Sequence, residues 1–176
     1  ITIIICSCSI TPEANRTYSI DPICKITPDE NPYLNTSINP IFSYHHNPNI
    51  TFSKNPNVTI QINPKAEWRK NPNLNFSINP LHRSNLNPQY NSSWSGYHVC
   101  NSSGQYAGQS VVANSQVMLF FSGSWDGYFV TNYQGGYNFY NRSNEWRGYL
   151  VPTKSKGFVF FNLKNQWVLS LLPKDL

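Results

Sequence analysis

From residue 31 to residue 94 apolar and polar positions alternate, and the alternation restarts every eight residues at an Asn-Pro pair, at 31, 39, 47, 55, 63, 71, 79 and 87. Cut at each pair, the segment reads NPYLNTSI, NPIFSYHH, NPNITFSK, NPNVTIQI, NPKAEWRK, NPNLNFSI, NPLHRSNL and NPQYNSSW. The fourth column is Leu34, Phe42, Ile50, Val58, Ala66, Leu74, His82 and Tyr90. The sixth is Thr36, Tyr44, Phe52, Ile60, Trp68, Phe76, Ser84 and Ser92, and the columns on either side of it are almost wholly polar. A period of two is that of a half-buried strand, and a proline every eight residues forbids a helix. Each octad therefore reads as a corner followed by a strand of about five residues. The column aromatics Phe52, Trp68 and Phe76 are expected in the core. Proline fixes its own φ and pushes the preceding Asn towards extended backbone, while the Asn side chain can close an Asx-type turn.

Two all-β assemblies fit such octads: a β-solenoid with two octads per coil, stacked at about 4.8 Å, or an antiparallel meander. Strict length-keeping favours the solenoid, with the asparagines stacked in ladders at its corners. The eighth column adds a weak sixteen-residue alternation: His46, Ile62, Ile78 and Trp94 against Ile38, Lys54, Lys70 and Leu86. On that reading sixteen residues are the unit of tolerance, so deleting residues 47–62 should cost less than deleting 47–54. Irregular relatives of the motif lie upstream, SITP at 9–12, SIDP at 19–22 and KITP at 25–28, and read as a cap. The division is 1–30 (irregular cap or remnant of an apolar segment), 31–94 (array) and 95–176 (a second repeat).

That second repeat is longer. YHVCNSSGQYAGQSVV, VMLFFSGSWDGYFV, YNFYNRSNEWRGYLV and FVFFNLKNQWVLSLL each join two short strands through a polar turn, and their aromatics Tyr106, Trp125, Trp146 and Trp167 stand at matching places. Four hairpins, none able to bury its apolar face alone, predict a small pseudo-four-fold β-hairpin rosette or small barrel. Glycine follows the aromatic two residues on in three copies, at Gly108, Gly127 and Gly148, but Leu169 takes that place in the fourth.

Asn-Pro octapeptides of the SINP type followed by a run such as YNFYNRSNEWRGYLV resemble bacterial proteins carrying a four-fold β-flower domain. The resemblance covers roughly residues 31–176. It implies a pseudo-four-fold β domain and brings neither an activity nor catalytic residues.

Composition narrows the function. Only 12% of residues are charged and 15% are aromatic, which is not the make-up of a disordered tail. The formal charge is +5, but Lys and Arg are spread singly and the longest basic run is Arg69-Lys70, so no nucleic-acid partner is expected. The four cysteines, Cys6, Cys8, Cys24 and Cys100, lack metal-ligand spacing. Buried or free thiols are favoured over a disulfide such as Cys24 with Cys6 or Cys8. His45-His46, adjacent on a strand, would face opposite ways. Asp126 and Glu145 flank Trp125 and Trp146 on opposite sides and make a poor acid/base pair. No catalytic residues, metal or cofactor are expected, and no enzyme. ITIIICSCSI is too short to span a bilayer. It reads equally as an apolar first strand, as the tail of a longer apolar segment, or as a lipoprotein-like site with a lipid anchor at Cys8.

The expected function is a non-enzymatic structural protein of the cell surface or exterior: a repeat spacer or filament-forming subunit with a compact β head. Its partners would be further copies or another surface protein. The rival is a lectin-like, carbohydrate-binding module in which Tyr106, Trp125, Trp146 and Trp167 meet a glycan, against their simpler use as core.

Overall fold

The computed structural model describes residues 21–174. It is all-β in its regular structure: eight antiparallel strands close into an up-and-down barrel. These are β1 (Gly96–Asn101), β2 (Tyr106–Val112), β3 (Val117–Ser122), β4 (Ser124–Thr131), β5 (Tyr137–Asn141), β6 (Trp146–Pro152), β7 (Phe158–Asn162) and β8 (Trp167–Pro173). β8 pairs back onto β1 from Tyr97 opposite Pro173 to Asn101 opposite Leu169, so no edge remains. The four expected hairpins are thus the staves of a barrel.

Asparagine builds three of the hairpin turns. Asn101, Asn141 and Asn162 each accept, through Oδ1, from the backbone N–H groups two and four residues on. Each then donates from Nδ2 to the Gln or Glu four residues on. The residue between takes a left-handed conformation, as Gly104, Asn144 and Asn165 do. In all four hairpins the register slips by a residue near the recurring aromatic, between Val99 and Cys100, Phe120 and Phe121, Phe139 and Tyr140, and Phe160 and Phe161. The glycines two residues after Trp125 and Trp146 are explained by close approach: a Cβ on Gly127 or Gly148 would lie 2.4 Å from Tyr140 O or 2.3 Å from Phe161 O.

Both faces of the barrel wall are apolar. Val99, Met118, Phe129, Leu150, Phe160 and Leu171, with flanking residues from the remaining strands, fill the interior. Their neighbours along the strands, including Val117, Leu119, Phe121, Tyr149, Val151 and Val159, point outward and are buried as well. What covers them is the octad segment: Ile38 packs on the outer face of β6, β7 and β8, while Ile78, Leu86 and Trp94 pack on that of β2, β3 and β4.

The octads are not strands. Seven of the eight carry a 3-10 turn at their sixth to eighth positions, from Thr36–Ile38 to Ser84–Leu86, and no strand lies within residues 31–94. The Asn-Pro pair opens a separate turn. In every octad the Asn carbonyl accepts from the fourth and fifth N–H groups, for example from Leu74 (3.0 Å) and Asn75 (2.8 Å) onto Asn71 O. The Asn Oδ1 accepts from the third N–H in all eight, which is the anticipated Asx turn. The eighth N–H then bonds to the fifth carbonyl, and the following Asn N–H to the sixth, throughout the seven octads with a 3-10 turn. With proline contributing no donor, only the sixth N–H and, in most octads, the seventh are left for a ladder, too few for a strand of five. Stacked coils and a meander both need strands that these residues do not form.

Length is kept by other means. Asn39, Asn63 and Asn71 donate from Nδ2 to the proline carbonyl seven residues back, and the hydroxyls of Ser43, Thr51 and Thr59 donate to the sixth-column carbonyl of the preceding octad. These bridges replace the expected asparagine ladders, and a one-residue slip would break them all. The core assignment of columns also reverses. Phe52, Trp68 and Phe76 are 65%, 54% and 64% exposed, whereas the eighth column is buried at Ile38, Lys54, Ile62, Lys70, Ile78, Leu86 and Trp94.

The segment is a collar around the barrel. It starts beside β1, where Cys24 is disulfide-bonded to Cys100. It passes the β7–β8 turn (Asn49 Nδ2 to Leu163 O, 3.2 Å), then β5, where Asn138 donates to Lys54 O (3.0 Å) and Tyr140 to Ile62 O (3.2 Å). Next come the β5–β6 turn (Asn73 Nδ2 to Arg142 O, 2.9 Å) and the β3–β4 turn (Gln89 Nε2 to Gly123 O, 2.5 Å). It returns to β1 at Trp94, whose ring meets His98 edge-on at 5.4 Å. Eight octads thus circle eight strands, about one octad per strand. The disulfide, between residues 76 apart in sequence, buckles the collar. It replaces the expectation of free thiols, and Cys24 pairs with neither Cys6 nor Cys8, which lie outside the described residues along with the SITP copy.

Candidate functional site

The four aromatics singled out in the sequence begin the second strand of each hairpin, and the barrel keeps them apart. Trp125 and Trp146 border one outer-face cluster and Trp167 another. Trp125 is 5% exposed and Trp167 9%, while Tyr106 is 38% exposed. Each indole Nε1 donates to the carbonyl two residues on: Trp125 to Gly127 O (2.8 Å), Trp146 to Gly148 O (2.8 Å) and Trp167 to Leu169 O (3.1 Å). The N–H that a ligand would use is therefore satisfied by the strand's own backbone, and the indole pins the slipped register beside it. The guanidinium of Arg142 lies 5.1 Å from the Trp125 ring centroid, covering one indole face.

Trp167 and Tyr106 each join a groove that the collar helps to build, and the Trp167 groove is the more apolar of the two. Pro32, Tyr33 and Ile41 form one wall, Phe161 and Trp167 the floor, and Asn162, Asn165 and Gln166 the polar rim, around a volume of about 390 Å³. The Tyr33 ring meets the indole edge-on at 5.5 Å and is 74% exposed. The rim is already committed in part: Asn162 holds the hairpin turn, and Asn165 Oδ1 accepts from the Tyr149 hydroxyl at 2.6 Å. Tyr106 lines a separate groove of about 490 Å³ with Pro88, Gln89, Gln109 and Gly123. The partner from the collar could not be seen in sequence, because the spacing of neither repeat sets Tyr33 against Trp167.

Several other ionisable groups bond within the fold. Tyr128 donates to Asn144 Oδ1 (2.6 Å) in the turn of the next hairpin, as Tyr149 does to Asn165, and burial pushes the hydroxyls of Tyr128, Tyr140 and Tyr149 far above the ordinary tyrosine range. Glu145 is held below the usual carboxylate range, first by the Asn141 amide and then by Arg147, with which it forms a surface ion pair. Asp126 is exposed on β4. His45 and His46 do not face opposite ways: their ring centroids are 3.9 Å apart, because a 3-10 turn does not alternate side chains as a strand does. Burial, then His45 and then Lys54, lower the His46 pKa to about 4. Lys70 donates to Gln61 O and lies 4.8 Å from the Tyr133 ring centroid. Among the described residues no three of His, Cys, Asp and Glu gather at metal-binding distance, and no helix is long and apolar enough to cross a membrane.

Compared with protein-family models, curated proteins and solved structures, the chain matches none.

Proposed function

We propose that this chain is a non-enzymatic structural protein of the cell surface or exterior, in which the barrel is a rigid spool and the collar is its contact surface. One observation carries the reading. The collar turns its large apolar side chains outward, from Tyr33 and Leu34 to Leu81 and Tyr90, although it has a barrel to bury them against. Surfaces of this kind mark interaction sites. The Cys24–Cys100 disulfide supports the location, since such bonds persist in oxidising compartments. The spacer idea changes form: the octads lengthen nothing here, and the β head and the repeat become one unit. The resemblance to the β-flower proteins adds architecture only. The test is surface labelling of intact producing cells, combined with a thiol count on the recovered protein. Labelled, disulfide-bonded chain is expected; a chain found only inside the cell with Cys24 reduced would remove the reading.

The second reading, glycan binding, keeps one favourable observation, the Tyr33–Trp167 groove with its amide rim. It no longer draws on the four aromatics acting together. Tyr33→Ala removes an exposed ring without disturbing the core. Loss of a glycan-array signal in that variant, with unchanged thermal unfolding, is the expected result of the lectin reading; a blank array for the unaltered protein removes it.

A further inference from the structure

The fourth and sixth columns form two rows around the collar, and in them Phe42, Ile50, Phe52, Ile60, Trp68 and Phe76 are each more than half exposed. The rows touch: the Phe76 ring of the sixth column meets His82, fourth in the next octad, edge-on at 4.7 Å. With typical side-chain areas the exposed apolar surface of the collar is on the order of 2,000 Å², against about 300–600 Å² for the largest patch on a typical monomer. Because the octads circle the barrel, this band faces outward on every side. One globular partner, or one flat bilayer, would leave most of it in water.

We infer that the band is covered by further copies of this chain, packed side by side, collar against collar. The inference rests on the structural reading above and names the partner of that surface. Charge is the first argument. Identical surfaces repel when charged, and this one is nearly neutral: of the residues in the third, fifth and seventh columns only Lys65, Glu67, Arg69 and Arg83 carry charge, three of them in one octad. A bilayer of anionic lipid or a charged partner is recognised by Lys and Arg set among the aromatics. Here the band sets a cation on an aromatic at one recorded place, Arg69 5.4 Å from the Trp68 ring centroid, while Arg142, Lys154, Lys156 and Lys164 stand in the turns between barrel strands. Neutral side chains around aromatic ones are what the centre of a protein interface contains. Area is the second argument. A standard interface takes about 800 Å² from each partner, so the band has room for roughly two neighbours. Contacts between different stretches of a continuous band do not close on themselves, and rows or sheets follow rather than a dimer.

Sedimentation of the purified, oxidised chain over a wide concentration range tests this, at low and at high salt. Species larger than a dimer should grow with concentration and persist or increase with salt, because no ion pairs hold them. Phe52→Lys with Phe76→Lys places charge in both rows and should weaken association at least about tenfold, with circular dichroism and thermal unfolding unchanged because both side chains are exposed. A second variant guards the result: Val58→Cys, at an exposed fourth-column site, made with Cys6→Ser and Cys8→Ser, should give chain-to-chain cross-links with a short bis-maleimide at concentrations where Cys6→Ser with Cys8→Ser alone gives none. A monomer at every concentration overturns the inference, as does association that survives the double substitution. So does flotation of the chain with vesicles of phosphatidylcholine and phosphatidylglycerol in place of self-association. A monomer that is exported and disulfide-bonded removes only the homotypic partner; a reduced chain inside the cell removes the structural reading and leaves the sedimentation result to stand by itself.

Discussion

In β7 the amides and carbonyls of FVFFN reach across to β6 residue for residue and to β8 with one slip beside Phe161, so the strand is held by its neighbours and not by itself. In NPNLNFSI, residues 71–78, the N–H groups of Leu74 and Asn75 turn back onto Asn71 O, that of Ile78 onto Asn75 O, and that of Asn73 onto the Asn71 side chain. Both segments show apolar residues at short spacing, and only one is a strand. The difference lies in where the backbone donors go. An Asn at the first position offers two acceptors that take the next three N–H groups, and a proline after it removes one donor. A segment whose donors are satisfied locally can lie flat on another surface without joining its sheet. That is what an outer layer on a closed barrel requires, since the barrel has no free edge to extend.

The comparison breaks most visibly if the collar is shortened. Seven octads cannot circle eight strands, so deleting residues 47–54 should carry Cys24 out of reach of Cys100 and expose part of the outer barrel face. Deleting 47–62 should be worse. A stacked-coil array ranks the two deletions the other way, so thermal unfolding and a count of free thiols on both proteins decide between them. Equal stability of the two would sink the collar.

Opening the buckle alone is milder. In the chain-entropy picture a crosslink closing a loop of this length contributes about 4 kcal/mol. Cys24→Ala with Cys100→Ala should therefore lower the unfolding temperature strongly while leaving barrel circular dichroism in place. Limited proteolysis should then cut within residues 25–94 before any barrel strand. Cleavage that begins in the barrel would show that collar and barrel do not separate.

Single side chains sharpen the contrast of the two collar faces. Ile62, 1% exposed against the barrel, should cost about 2–4 kcal/mol as Ile62→Ala. Phe52, one octad earlier and 65% exposed, should cost less than about 0.5 kcal/mol as Phe52→Ala when the chain is dilute. Chemical denaturation of both measures it, and the strand reading, with Phe52 in the core, predicts the reverse order.

What could be seen in sequence divides along the same line. The four hairpins, their turns and their aromatics were legible, because NSSG, NRSN and NLKN carry the turn chemistry themselves and the strands between them keep their period. The corner function of Asn-Pro was legible too. The inward face of the collar was not, since Lys54 and Lys70 stand among its eighth-column residues and look like surface. The missing signal was in the barrel instead: VMLFF at 117–121 and FVFF at 158–161 are apolar at consecutive positions, which means a strand buried on both faces, so something had to cover the outside. The disulfide was hidden for a related reason. Cys24 and Cys100 meet only because the collar completes a full circuit, and spacing along the chain says nothing of that. The candidate glycan groove fared likewise, with Trp167 legible and Tyr33 not.

The smallest effect expected is a dependence on pH that belongs to the collar and not to the barrel. His46 occupies the eighth column, half-buried where the other members are buried, and burial, His45 and Lys54 all disfavour its charged form, bringing its pKa from 6.5 to about 4. A histidine whose folded pKa is lowered binds its proton more readily in the unfolded chain. The stability it lends is therefore complete above about pH 6.5 and is lost as the pH falls towards 4. The size is on the order of 1–2 kcal/mol once solvent screening at this half-buried site is allowed for. His46→Gln keeps a polar side chain of similar length without the titration, so its stability should follow a flatter course between pH 6.5 and 4 than that of the unaltered chain. Barrel hydrogen exchange should be insensitive to the substitution, because none of the groups that shift His46 belongs to a barrel strand. A pH course identical in the two proteins would mean that His46 turns out to solvent, and that the inward column is interrupted at the second octad.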